Sequence, residues 1–190
     1  MSTGERIFDL VLSSLMIALI VISARLSLAI GPIPVTMQTL AVILTGLLLG
    51  PKKGWLAPTL YLLMGLIGLP VFSGGGGIGY LIKPTFGFIL GFIPAAYFTG
   101  FLYYRKWFKQ DAVNVIIASF IGMVIIYLFG LGYIPFAGFL IGSELAVLAT
   151  LLPSLPLMII GDCLKIAGLT MVVPLLTREL EKVRQSFKNR

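Results

Sequence analysis

From Leu157 to Leu176 the chain is almost wholly apolar and carries charge only at Asp162 and Lys165. A run of that length is enough for one helix to cross the hydrocarbon core of a bilayer, about 30 Å thick. Three residues apart, the carboxylate and the ammonium share one face of that helix. Each charge at bilayer depth costs on the order of 2.5–3.5 kcal/mol on insertion scales, and ionisable residues placed there mark functional sites by default. The competing reading is a mutually satisfied ion pair that only fixes helix packing.

The rest of the chain is of the same kind. Hydrophobic residues make up 58% and charged residues 11%, whereas charged residues alone are about 25% of a soluble domain. The expected fold class is an all-α integral membrane protein. Its 190 residues leave room for about six spans of roughly 20 residues with short loops, here expected as a single transmembrane domain, 1–190. The first span is too long, and too poor in a cleavage signal, for a removed signal peptide. Histidine is absent and Cys163 is the single cysteine. No metal, cofactor or disulfide is therefore expected, and Ser-His and Cys-His catalysis are excluded.

The expected helices run from about Arg6 to Ile30, Thr36 to Gly50, Trp55 to Leu69, Thr85 to Phe108, Ala112 to Leu131 and Leu157 to Leu176. The last is expected to end near Pro174, with a charged, mostly helical tail to Arg190. A short extra helix, from about Ser143 to Leu152 with Glu144 as its only charge, is expected in the last outer connection. Ser14 and Ala18 make a small-xxx-small pair on the first helix, and Gly87 and Gly91 make another on the fourth. Such pairs let a second helix approach closely, either inside the bundle or from a partner.

Two connections break helix geometry. Gly31-Pro-Ile-Pro-Val-Thr36 is a rigid turn in which two prolines fix φ. Thr36 is an expected N-cap for the short second helix, with the Gln38 amide in its first turn, where it could face a cavity. Val71-Phe-Ser-Gly-Gly-Gly-Gly-Ile-Gly-Tyr80 follows Pro70 and leads to Lys83. Gly75, Gly76 and Gly77 offer N–H groups with no Cβ in the way, so a ligand can approach the main chain; a flexible linker is the alternative. Phe72, Tyr80 and Lys83 are expected to face that ligand. No G-x-x-x-x-G-K-[ST] phosphate loop occurs.

Of fourteen lysines and arginines, all but Arg25, Lys83 and Lys165 lie in Arg6, the Lys52–Lys53 turn, Arg105 to Lys109 and the tail. With six spans these segments fall on one side, the cytoplasmic one by the positive-inside rule, and both termini with them. The net charge of +7 is thus a topology signal with some attraction to anionic lipid, and no nucleic-acid partner is expected. The three remaining cations belong to the outer half with Glu144, Asp162 and both irregular connections. That coincidence points to an outward-facing pocket for a small, partly apolar ligand with amide-like and acidic groups.

Several blocks resemble the BioY family. They are Gly31-Pro-Ile-Pro-Val-Thr-Met-Gln-Thr-Leu40, Leu49-Gly-Pro-Lys-Lys-Gly54, Gly68-Leu-Pro-Val-Phe-Ser-Gly-Gly-Gly-Gly77, Pro84-Thr-Phe-Gly-Phe88 and Gly161-Asp-Cys-Leu-Lys165. The resemblance implies the biotin-binding membrane subunit (S component) of an energy-coupling factor transporter, a binding subunit and not an enzyme. It implies a six-helix bundle in the bacterial plasma membrane that captures biotin outside and works with a transmembrane coupling protein and two ATPases. Asp162 and Lys165 match the residues that the family uses for biotin. Ser14 and Ala18 match its coupling-protein docking stripe, with serine where alanine is usual. Competing expectations are a binding subunit for another vitamin, a self-sufficient oligomeric transporter or channel, and, last, a membrane enzyme.

Overall fold

A computed structural model of the chain describes residues 3–28, 35–142 and 152–188. Among these residues the architecture is almost all helical, with six α-helices and one antiparallel pair of two-residue strands. They are α1 (Thr3–Arg25), β1 (Ser27–Leu28), β2 (Val35–Thr36), α2 (Gln38–Leu49), α3 (Leu56–Leu66), α4 (Phe86–Arg105), α5 (Asp111–Ile141) and α6 (Leu155–Lys188). One 3-10 turn, Ile78–Ile82, precedes α4, and another, Leu152–Ser154, precedes α6. Four helices, α1, α4, α5 and α6, are long and apolar enough to cross a membrane. The expected helix near Ser143 and the charge at Glu144 lie outside the described residues, as does most of the proline turn.

The short α2 sits at the centre. Every residue from Ala41 to Leu47 is buried, as expected of a helix that is apolar all round. Small residues set the spacing around it. A Cβ on Gly46 would overlap the Ala96 carbonyl of α4, and one on Gly100 would come within 2.7 Å of the Gly46 carbonyl. The Gly87–Gly91 face of α4 is used inside the bundle, against Tyr133, Phe129 and Ile126 of α5. In lipid, such close backbone approach supplies dispersion contact that hydrophobic drive cannot.

One stripe of α1, through Phe8, Leu12, Met16 and Ile20, is buried. Its other side exposes Leu10, Val11, Leu15 and Ile22, and Ser14 and Ala18 lie on that exposed side. The Ser14 hydroxyl bonds back to the Leu10 carbonyl at 2.9 Å.

Two helices exceed the sequence expectation. α5 does not end at Leu131; it continues through Pro135 to Ile141 and stops at left-handed Gly142. Gly130 within it serves packing: a Cβ there would overlap the Phe88 ring of α4. α6 starts at Leu155 and passes Pro174 without a break. Beside that proline the Thr177 hydroxyl donates to the Val173 carbonyl at 2.9 Å. The charged tail then docks on the start of α1. Phe187 and Phe8 have ring centroids 6.0 Å apart, and Arg184 lies 3.4 Å from Asp9, which also pairs with Lys53. These contacts gather the first turns of α1, the α2–α3 turn and the end of α6 at one end of the bundle.

Candidate functional site

The pocket lies at the other end. α6 places Asp162 and Lys165 one turn apart, facing the first turn of α2. Asp162 is 3% exposed, so its charge is answered by protein donors. The Thr39 hydroxyl donates to its Oδ1 at 2.6 Å, and the Tyr127 hydroxyl of α5 donates to its Oδ2 at 3.0 Å. Lys165 Nζ also reaches Oδ1 at 2.6 Å and spends its other donors on Thr39 Oγ1, 3.0 Å, and the Thr36 carbonyl, 2.6 Å. A buried carboxylate with an adjacent ammonium and two hydroxyl donors is a stable arrangement of charge, whereas removing one partner strands the other.

The neighbouring wall is polar too. Gln38 is buried, and its side-chain amide donates to the Tyr61 hydroxyl at 2.6 Å. Tyr61 in turn reaches the Val71 carbonyl at 3.3 Å. Helix α2 begins after Met37 rather than Thr36, and the Thr36 hydroxyl still accepts the Gln38 N–H at 3.3 Å.

These groups converge on one cavity. Thr36, Gln38, Thr39, Ser73, Tyr80, Thr85, Asp162 and Lys165 form its polar lining, and Phe88, Ile89, Phe92, Ile126 and Met158 its apolar one. About 530 Å³ of empty space, open mouth and adjoining solvent included, lies between them.

Of the residues singled out from sequence, Asp162, Lys165, Gln38 and Tyr80 line this cavity; Gly75, Gly76, Gly77 and Lys83 do not. The glycines shape the loop instead. Gly75 has φ +111° and Gly77 φ +97°, a region open to glycine at little cost. The Gly75 N–H bonds the Phe72 carbonyl at 3.1 Å, and the Gly77 N–H bonds the Gly65 carbonyl at 2.7 Å. A Cβ on Gly76 would overlap the Leu69 carbonyl. Phe72 is fully buried against Gly65, so it belongs to the core and not to the ligand wall. Arg25 anchors the end of α1 to the Pro70 carbonyl.

Sequence reading missed Thr39, Ser73, Thr85, Phe88 and Tyr127. Tyr127 carried a usable signal, because a phenol in an otherwise apolar stretch needs a hydrogen-bond partner when buried.

The similarity to known proteins extends along nearly the whole chain. The BioY family profile covers residues 1–182. The chain belongs to the BioY family. A probable biotin transporter BioY of Pyrococcus horikoshii is 37% identical over 76% of this chain and 85% of its own. The biotin transporter BioY of Rhizobium etli is 40% identical over 66% of this chain and 73% of its own. A crystal structure of an S-component for biotin from an ECF-type ABC transporter superposes with a TM-score of 0.79 at 27% identity, covering 94% of this chain and 95% of that one. Like these BioY proteins, the chain is a multi-pass membrane protein.

Proposed function

We propose that this chain is the biotin-binding subunit of an energy-coupling factor transporter and that biotin binds in the Asp162–Lys165 pocket. The observation that carries the reading is a buried carboxylate–ammonium pair on a cavity that combines a polar wall of hydroxyl and amide side chains with an aromatic and aliphatic one. Biotin has a cyclic urea with two N–H donors and a carbonyl, an apolar thioether ring and a carboxylate tail. Asp162 accepts a urea N–H. The aromatic and aliphatic wall receives the thioether ring. Gln38 and Tyr80 supply polar groups beside it, and the glycine loop with Lys83 holds Tyr80 in place. The chain binds and delivers; it does not catalyse.

The same reading takes α2 and α3 as spans, giving six transmembrane helices in one domain with both termini cytoplasmic. The meeting of Asp9, Lys53 and Arg184 at one end, with Asp162 and Lys165 at the other, supports it. The basic segments then obey the positive-inside rule, and the pocket opens outward. Delivery requires a transmembrane coupling protein and two ATPases. The exposed Ser14–Ala18 stripe of α1 is the proposed docking face for the coupling protein. The test is purification of the chain alone from cells supplied with a vitamin mixture, followed by mass spectrometry of what is released. Biotin should be recovered, and uptake into proteoliposomes should require the ATPase module. Recovery of a different vitamin would overturn the substrate, and energised uptake by the chain alone would overturn the subunit role.

A further inference from the structure

We infer that Tyr127 is a positioning residue for ligand recognition: it orients the Asp162 carboxylate so that Oδ2, and not Oδ1, receives a single ligand N–H. The inference rests on the biotin reading above and adds how the carboxylate is used. Oδ1 already accepts from Thr39 Oγ1 at 2.6 Å and from Lys165 Nζ at 2.6 Å. Two donors occupy the lone-pair directions of one carboxylate oxygen. On Oδ2 the donor among the described residues is the Tyr127 hydroxyl, at 3.0 Å. One acceptor direction therefore remains, and it lies on the oxygen that Tyr127 fixes.

Tyr127 is itself held. Its ring meets Phe88 of α4 edge to face, with centroids 5.9 Å apart at 82°. Phe88 in turn fills the space left by the missing side chain of Gly130, one turn along α5. The hydroxyl thus sits at the end of a packed ladder from Gly130 through Phe88 and Tyr127 to Asp162. Ile126 and Phe88 line the cavity, whereas Tyr127 does not. Its effect on a ligand therefore passes through Asp162. A carboxylate with one oxygen occupied suits a group that presents one N–H at a time, such as a cyclic urea. It does not suit a forked guanidinium or amidinium, which needs both oxygens.

The test is a double-mutant cycle with biotin on the intact, detergent-solubilised chain, using Tyr127→Phe, Asp162→Asn and the pair. Phenylalanine keeps the ring against Phe88 and removes only the hydroxyl, so the chain should remain folded, which its thermal melt checks. Tyr127→Phe should lower affinity about five- to tenfold, the scale of one ordinary hydrogen bond, because the hydroxyl acts on the ligand only through Asp162. In the Asp162→Asn background the same change should cost less than twofold. Equal losses in both backgrounds would show that the hydroxyl acts independently of Asp162 and overturn the inference, as would unchanged affinity in Tyr127→Phe alone. A wild-type chain that fails to bind biotin would instead sink the underlying reading, and the first titration of the cycle shows it.

Discussion

The ammonium of Lys83 stands 4.5 Å from the centre of the Tyr80 ring, and the same nitrogen donates to the Gly74 carbonyl at 3.1 Å. The Tyr80 hydroxyl in turn lies 3.3 Å from the Ser73 hydroxyl. A cation outside the cavity thus braces two residues that line it. An exposed cation–π contact is worth about 0.5–1 kcal/mol. Lys83→Met should therefore weaken biotin binding only about two- to fivefold. Isothermal titration checks this, and a loss as large as that of Lys165→Ala would mean that Lys83 touches the ligand directly.

The glycine loop separates fold from contact. Gly76→Ala places a Cβ against the Leu69 carbonyl. It should displace the loop, weaken biotin binding and speed protease cleavage between residues 72 and 82. Gly79 has open space around its Cα position and no positive φ, so Gly79→Ala should be neutral. Equal behaviour of the two variants in a limited-proteolysis time course would contradict this assignment.

Ala18 lies on the exposed side of α1, away from the buried Phe8–Leu12–Met16–Ile20 stripe. Ala18→Trp should leave biotin affinity within twofold and abolish co-purification with the coupling protein and ATPases. Normal assembly would show that the stripe is not the docking face. Loss of biotin binding would show that the two ends of the molecule are not independent.

Asp9 is 8% exposed and meets both Lys53 and Arg184. Asp9→Ala strands Lys53 without its partner and releases the α6 tail. Removing one member of a largely buried pair costs up to about 3–5 kcal/mol; the half-exposed Arg184 contributes little of it. The expected result is a lower melting temperature and faster trypsin cleavage after Arg178 and Lys182, with biotin affinity unchanged because the pocket lies at the opposite end.

The parts legible in the sequence were those with a high local cost. Asp162 and Lys165 stood out because charge in an apolar run is expensive whatever surrounds it, and they sit together in the cavity. Helix existence was legible for the same reason. Helix ends were not. Pro174 read as the end of α6 and Leu131 as the end of α5, yet both helices run on, with Phe187 packed on Phe8 of α1 and Phe88 packed on Gly130. The glycine loop was recognisable, but its use was not. Whether these glycines turn to positive φ or bare their amides depends on Phe72, which pairs with Gly75, and on Leu69 and Gly65, which meet Gly76 and Gly77. Thr39 and Tyr127 are ordinary residues for such helices, and only the fold brings them to Asp162 from 123 and 35 residues away.

The central claim is that biotin is held by the carboxylate–ammonium pair of α6, and calorimetric titration of the purified chain tests it most directly. Asp162→Asn keeps the shape, weakens the acceptor and leaves Lys165 without its counter-charge. Lys165→Ala removes the ammonium and frees the Thr36 carbonyl. Hydrogen bonds to charged groups are worth about 1.5–3 kcal/mol, so each variant should bind biotin at least about tenfold more weakly than the unaltered chain while remaining folded. Unchanged biotin affinity in both folded variants would contradict the account.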